Sequence, residues 1–494
     1  MNKRKKQKRF FLRYWDKLIL SFLTLTYILT FSFLSVKRHF AFASNFDLSN
    51  MDNTMWNTLH GNFFSLRIAD TLVSRFSIHS DLILVFLSPI YLVYDYTRAL
   101  LITQSILIGL GALPVYFISV KLLKNRVLSL AVVLQYLLNP SLQWTNIYDF
   151  HGVSLAIPFL LSTFYFALVK KWKWYLVFAL LSVITKEQIS LVVALIGLVT
   201  FFVFKEKKYG AITFLGGILW FCSMVFIIMP YFSPIGSHWG FSLFSQAYDP
   251  AAGNQLGTIQ HFNFNRFFDF QILEYYKKLL EPYGFTSLLG LPWILLSLPD
   301  LAINVLSYHH AMQTITYHYG SGIIPGLTIA SIYGMSYVAN VVRKNKHTSG
   351  YSEVILLGLT IVVLFFAIKF NYFYSPLPTT PSCWCFIYNV TDEDKAFKKV
   401  LNRIPSDAKV TASLEVRPHV NHRHEVYSVP SATPSADFIA LITQNRIIGN
   451  YEPKEYENKL IPILLSNNTH EVLYKSKNFY LFRKKDSMFN LLNN

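Results

Sequence analysis

The chain has 494 residues, of which 53% are hydrophobic and only 15% charged, against roughly 25% charged in an ordinary soluble domain. Its mean hydropathy of +0.34 excludes a plain water-soluble globule and points to an α-helical polytopic membrane protein. The net charge of +18 does not imply nucleic acid, because the basic residues sit in short segments beside apolar runs.

Residues 1–17 read as a basic cytoplasmic N-terminus, with Lys3, Arg4, Lys5, Lys6, Lys8, Arg9, Arg13 and Lys17 against the single acid Asp16. A transmembrane domain is expected over 18–372. Apolar runs near spanning length lie at 18–36, 99–120, 127–143, 153–169, 174–204, 209–232, 284–306, 321–342 and 351–372, which gives about 9–11 spans. The first run is too long for a signal peptide and lacks a small-residue cleavage site, so it reads as a retained span. Basic clusters at Lys121-Lys124-Arg126, Lys170-Lys171-Lys173, Lys205-Lys207-Lys208 and Arg343-Lys344-Lys346 mark cytoplasmic connectors, in reach of anionic lipid. Outer loops then fall at 37–98, 144–152 and 233–283. The stretch 82–95 is short and carries Pro89 and Asp95, so it reads as an interfacial or re-entrant helix. The run 174–204 divides into two spans about a turn at Lys186-Glu187. Pro292 and Pro299 break 284–306, which is expected to return to the outer face as a broken hairpin over 284–318.

Pro376, Pro378 and Pro381 mark a linker over 373–391. Residues 392–494 read as a small α/β extracytoplasmic domain. Its strands are expected at Lys409–Ser413, Val426–Val429, Phe438–Thr443 and Val472–Phe482, with a short helix or turn near Glu415–Arg423 limited by Pro418. Cys222 lies in a span. Cys383 and Cys385 are separated by one residue, a spacing poor for a metal pair and strained for a disulfide, so both are read as free thiols.

Polar groups gather on the outer side. They include Asp47 and Asp52 in the first outer loop, Asp149 and His151 in the second, Lys186 and Glu187, then His309, His310 and His318. In this topology thirteen of the fourteen histidines lie outside, His347 being the exception. An ionisable group near membrane depth is a functional hypothesis by default, because burying its charge is costly. Each has a plainer alternative: Asp47 and Asp52 as helix caps, Asp149 and His151 as a mutual pair, Lys186 and Glu187 as an interfacial snorkelling pair, His309 and His310 as belt residues. His419, His422 and His424 lack ligand spacing. The absence of a P-loop, a Gly-x-Ser-x-Gly elbow and a His-Glu-x-x-His motif weakens ATP-driven pump, serine hydrolase and zincin readings.

The stretches Asn45–Gly61 (NFDLSNMDNTMWNTLHG), Asn139–Pro158 (NPSLQWTNIYDFHGVSLAIP), Thr185–Leu198 (TKEQISLVVALIGL) and Tyr317–Pro325 (YHYGSGIIP) resemble a prokaryotic membrane family, domain of unknown function 2079. The tail resembles it too, at Ile404–Arg423 and Ala436–Thr443. The layout is distantly similar to the type C glycosyltransferases, which use polyprenyl-phosphate-linked sugars. Phe46-Asp47, Asn50 and Gly61 look like the first-loop motif of the oligosaccharyltransferase catalytic subunit. Asp149 stands where that enzyme has metal-binding acids, but here one acid stands alone beside His151. Tyr317-His318-Tyr319 before Pro325 is a loose match to a late motif.

The resemblance implies sugar transfer to an extracytoplasmic acceptor, with Asp47 as general base and Asp52 as a second catalytic residue. Asp149, His151, Lys186, Glu187, His309, His310 and His318 would bind substrate. A divalent cation, if one is used, would fall to Asp47 and Asp149. The implied partners are membrane lipids and a polyprenyl-phosphate sugar donor. Two rival readings are a transporter or flippase of a lipid-linked substrate, which needs a polar route through the spans, and a non-catalytic envelope assembly protein, which needs 392–494 but not Asp47 or Asp149.

Overall fold

Four helical stretches are long and apolar enough to cross a bilayer among the residues described in the computed structural model, which are 3–244, 263–446, 455–467 and 469–492. They are Arg13–Phe40, Arg98–Leu123, Lys207–Phe232 and Ser349–Tyr374. The first leaves Leu18, Phe22, Leu25, Leu29 and Phe33 exposed, the outward apolar stripe that lipid solvates. Shorter apolar helices lie beside them, including Arg126–Leu137, Gly152–Leu168, Trp172–Val183 and Ile189–Phe202. The 22-residue helix Ile323–Lys344 is buried along most of one side. One core cluster joins these elements through Tyr27, Val115, Val132, Leu160, Val193 and Ile329. Where the 189–202 and 207–223 helices cross, a Cβ on Gly210 would lie 2.5 Å from the backbone nitrogen of Phe201. Only glycine permits that approach.

The prolines act as expected in the 284–306 run. It divides into Thr286–Leu289, Leu291–Ile294 and Leu298–Leu306, with Pro292 and Pro299 in the first turns of the last two pieces. The 82–95 stretch forms a helix at Ile83–Leu87 and a 3₁₀ turn at Ser88–Leu92, with Phe86, Leu92, Val93 and Tyr96 exposed beside it. The 37–98 segment also holds an antiparallel hairpin, β1 (Ser65–Ile68) with β2 (Thr71–Ser74), not expected from the sequence. It is tied to the Phe46–Leu59 helix by Asn57, whose Nδ2 donates to Ser65 O at 3.0 Å. Part of the expected 233–283 loop, residues 245–262, lies outside the described residues, His261 among them.

The C-terminal region is a five-stranded sheet, ordered β4 (Val426–Ser428), β3 (Val410–Ala412), β5 (Phe438–Ile442), β7 (Phe479–Lys484), β6 (His470–Lys475). The first three strands are parallel and the last two antiparallel. One face packs Val410, Phe438, Ala440 and Phe479 against Phe397 and Leu401 of the Asp392–Leu401 helix. The other packs Ile439, Leu441 and Phe482 against Leu460, Ile461 and Leu464 of the Glu455–Ser466 helix. The single strand expected at Val472–Phe482 is therefore a hairpin, turned at Ser476–Asn478. Only a 3₁₀ turn, Arg417–His419, forms within Glu415–Arg423.

Cys383 and Cys385 are not free thiols but a disulfide, with their Cα atoms 5.0 Å apart. A bend at Trp384, whose ring packs 4.7 Å from that of Trp144, brings both sulfurs to the same side. Cys222 is a free, exposed thiol.

Candidate functional site

A cavity of about 730 Å³ opens among the start of the Phe46–Leu59 helix, the 75–81 loop, the 151–153 and 185–188 turns, the 238–244 segment and the Leu298–Leu306 helix. Asp47, His151, Lys186, Glu187, His309 and His318 all line it. Arg75, His79, Asp81, His238, Trp239 and Asp300, which the sequence reading did not single out, line it too. Phe221, Val225, Phe241 and Phe244 give it an apolar wall.

Asn45 starts the Asp47 helix. Its side chain accepts from Phe46 N at 2.6 Å, so Asp47 falls in the first turn, where a carboxylate suits the helix dipole. His151 Nε2 lies 3.4 Å from Asp47 Oδ2. The His151 ring stacks on that of His318 at 3.7 Å. Enclosure raises the Asp47 carboxyl, but the hydrogen bond and charge of His151, then Arg75, outweigh it and hold the group below the usual carboxylate range. Asp47 is thus an ionised carboxylate on the cavity wall.

Asp149 is not on that wall. It is fully buried, with Oδ1 2.5 Å from Arg38 Nη1 and Oδ2 accepting from Asn45 N at 2.8 Å. Its φ of +98° is a left-handed conformation that needs such partners to hold it. Gln104 clamps the same turn, donating to Asp149 O at 2.7 Å and accepting from His151 N at 2.9 Å. Asp149 therefore acts on the site through Asn45, the residue that starts the Asp47 helix.

Glu187 lies on the same cavity wall as Asp47. Its Oε1 is 3.0 Å from His79 Nδ1 and 3.6 Å from His238 Nε2, and its Oε2 accepts from Ser80 N at 3.1 Å. Burial would raise Glu187, but these partners keep it well below the ordinary glutamate value. Burial, helped by the Lys186 charge, lowers His79 to about 4. The network fits a neutral His79 whose Nδ1–H donates to an ionised Glu187. Arg75 meets Asp81 with two bonds, Nε to Oδ1 at 2.9 Å and Nη2 to Oδ2 at 2.7 Å. Lys186 forms no hydrogen bond or ion pair among the described residues while lining the cavity.

Asp52 and His310 are not among the lining residues. Asp52 is fully buried on a different side of the Asp47 helix. Its oxygens take Tyr91 OH (2.5 Å), Asn421 Nδ2 (2.7 Å) and His422 Nε2 (2.9 Å). Asp52 thereby anchors the C-terminal sheet domain. His422 Nδ1 also contacts Asp95 Oδ1 at 2.7 Å. Burial lowers His422, yet the two carboxylates prevail and push it up to about 9. The folded value exceeds the ordinary 6.5, so this contact stabilises fully below that pH and is lost as pH rises through about 9. Hydrogen exchange over 417–424 and 46–59 should therefore rise as pH passes about 9, beyond the intrinsic rate increase. In His422→Gln that step should vanish; an unchanged step would assign it elsewhere.

The donor set does not fit a divalent cation shared by Asp47 and Asp149. Both Asp149 oxygens are committed to Arg38 and Asn45, and Asp47 is paired with His151. Among the described residues no group of three or more His, Cys, Asp or Glu side chains is arranged to hold a metal.

The family described as "Predicted membrane protein (DUF2079)" matches residues 38–478. The chain belongs to this family. With four helices of spanning length and composition, this DUF2079 chain is a multi-pass membrane protein. No curated protein matches it. Among solved structures it is similar to ArnT from Cupriavidus metallidurans bound to undecaprenyl phosphate, with 11% identity, 94% of this chain and 97% of that chain covered, and a TM-score of 0.48. The apo state of the same protein gives 12% identity, the same coverage and a TM-score of 0.47.

Proposed function

We propose that this cavity transfers a sugar from a polyprenyl-phosphate-linked donor to an acceptor hydroxyl outside the cytoplasm. The observation that carries the reading is the meeting, in one space, of an ionised Asp47, a Lys186 side chain with no ion pair among the described residues, and an apolar wall. A lipid phosphate needs those last two features together: a cation for the head and an apolar surface for the first isoprene units. The placement of basic connectors between spans supports an outer-face cavity with the N-terminus in the cytoplasm.

In the step proposed, the acceptor oxygen attacks the anomeric carbon and its proton passes to Asp47. The bond from that carbon to the phosphate oxygen breaks, and the electron pair leaves with the phosphate. Lys186 supplies the charge that stabilises it. His151 and His318 shape the wall next to Asp47. Glu187, held by His79, Ser80 and His238, fixes the turn from which Lys186 projects. No step requires a metal ion.

The test is binding of a polyprenyl phosphate to the full-length protein in lipid nanodiscs, read by native mass spectrometry. Lys186→Met should weaken binding about 10–100-fold, the worth of a hydrogen bond to a charged group. Equal affinity in wild type and variant would remove Lys186 from the phosphate site.

A further inference from the structure

Resting on that reading of the cavity, we infer that Asp300 selects an uncharged, hydroxyl-bearing sugar on the donor and rejects one that carries a carboxylate. Asp300 and Asn304 lie one turn apart on the Leu298–Leu306 helix and grip the segment after His318. Asp300 Oδ2 accepts from Gly322 N at 3.0 Å, and Asn304 Nδ2 donates to Tyr319 O at 2.9 Å. A Cβ on Gly322 would come within 2.2 Å of Asp300 Oδ2, so the YHYGSG stretch needs glycine there to admit the carboxylate.

That grip uses one oxygen. Asp300 is 4% exposed and belongs to the cavity wall, yet its Oδ1 has no hydrogen-bond partner among the described residues. A buried carboxylate oxygen without a donor is costly, and a capping role toward the Ile323–Lys344 helix accounts only for Oδ2. Four further wall residues carry polar atoms without a hydrogen-bond partner among the described residues: Asn50 at Oδ1, His151 at Nδ1, His238 at Nε2 and His318 at Nδ1. Of these and Asp300 Oδ1, the Asp300 and Asn50 atoms are oxygens that accept. Ring hydroxyls supply the missing donors.

The charges of the wall point the same way. Asp47 is paired with His151, Asp81 with Arg75, and Glu187 with His79 and His238. Lys186 and Asp300 form no ion pair among the described residues, although the charge of Lys186 acts on Asp300. With Lys186 on the donor phosphate, Asp300 is the carboxyl group left to face the sugar. A uronate there would set like charges against each other in an enclosed space and would offer an acceptor where a donor is needed.

The experiment titrates the full-length protein in nanodiscs with three probes: a polyprenyl phosphate, the same lipid linked to a neutral hexose, and the same lipid linked to a hexuronic acid. Wild type should bind the hexose-linked probe at least about tenfold more tightly than the hexuronate-linked one. In Asp300→Asn that ratio should shrink to within about twofold. Equal wild-type affinities for the two sugars would overturn the inference without any variant, as would an undiminished ratio in a folded Asp300→Asn. Failure of the bare polyprenyl phosphate to bind wild type would instead defeat the lipid-phosphate reading, and this inference with it.

Discussion

Asp47→Asn should leave the protein folded and inserted while cutting sugar transfer about 10²–10⁴-fold, the usual worth of a positioned general base. The replacement keeps the size of the side chain and one oxygen to face His151 Nε2. It loses the charge that favours a helix first turn, about 0.3–1 kcal/mol, which is small beside the whole stability of a domain. The variant therefore separates chemistry from folding. Transfer of a labelled sugar from a polyprenyl-phosphate-linked donor, beside a thermal unfolding scan, reads both. A variant as active as wild type would take the base away from Asp47 and favour the non-catalytic reading of the family.

Arg38→Met should have the largest effect on stability. Arg38 and Asp149 are 1% and 0% exposed, and removing one member of a buried pair leaves the other as an unpaired buried charge. That costs about 3–5 kcal/mol. Replacing both, as Arg38→Met with Asp149→Leu, should recover part of the loss, because the stranded charge is gone. Recovery should remain incomplete, since Asn45 N loses its acceptor on Asp149 Oδ2 and a leucine at φ +98° is strained. The double variant should also transfer sugar poorly despite its better stability, because the turn before Asp47 is no longer held. A double variant no more stable than Arg38→Met would show that the pair's charge balance is not what the fold depends on.

Four of the nine expected runs, 18–36, 99–120, 209–232 and 351–372, were legible as helices of spanning length because length and apolarity alone mark a span; the others form shorter or less apolar helices among the described residues. The break at Lys186-Glu187 was legible because two charges interrupt an apolar run. Asp47, His151, Lys186, Glu187 and His318 could be picked out for the same reason: an ionisable group at membrane depth stands out against its neighbours. Asp300 obeys that rule too, but it sits in a proline-broken run where it reads as one more interruption. Arg75, His79 and Asp81 lie in a loop without periodicity, and only folding brings them opposite Glu187. Asp52 shows the converse. It lies in the same motif as Asp47, five residues on, and its role depends on residues more than 360 positions away, which no local pattern reveals. The Asp392–Leu401 helix had a local signal that went unread: Thr391 and Asp394 form a reciprocal capping box at its start.

The grip of Asn421 and His422 on Asp52 makes the C-terminal sheet domain part of the scaffold under the helix that carries Asp47. Cutting the chain before residue 392 would strip two of the three partners from a carboxylate with no access to water. It would also uncover Phe42, whose ring lies 5.7 Å from Phe397 and 5.8 Å from Phe479. A truncation that kills the protein thus says nothing about whether the domain recognises an acceptor. Substitutions on the domain's outward side, which leave this footing whole, are the ones that can.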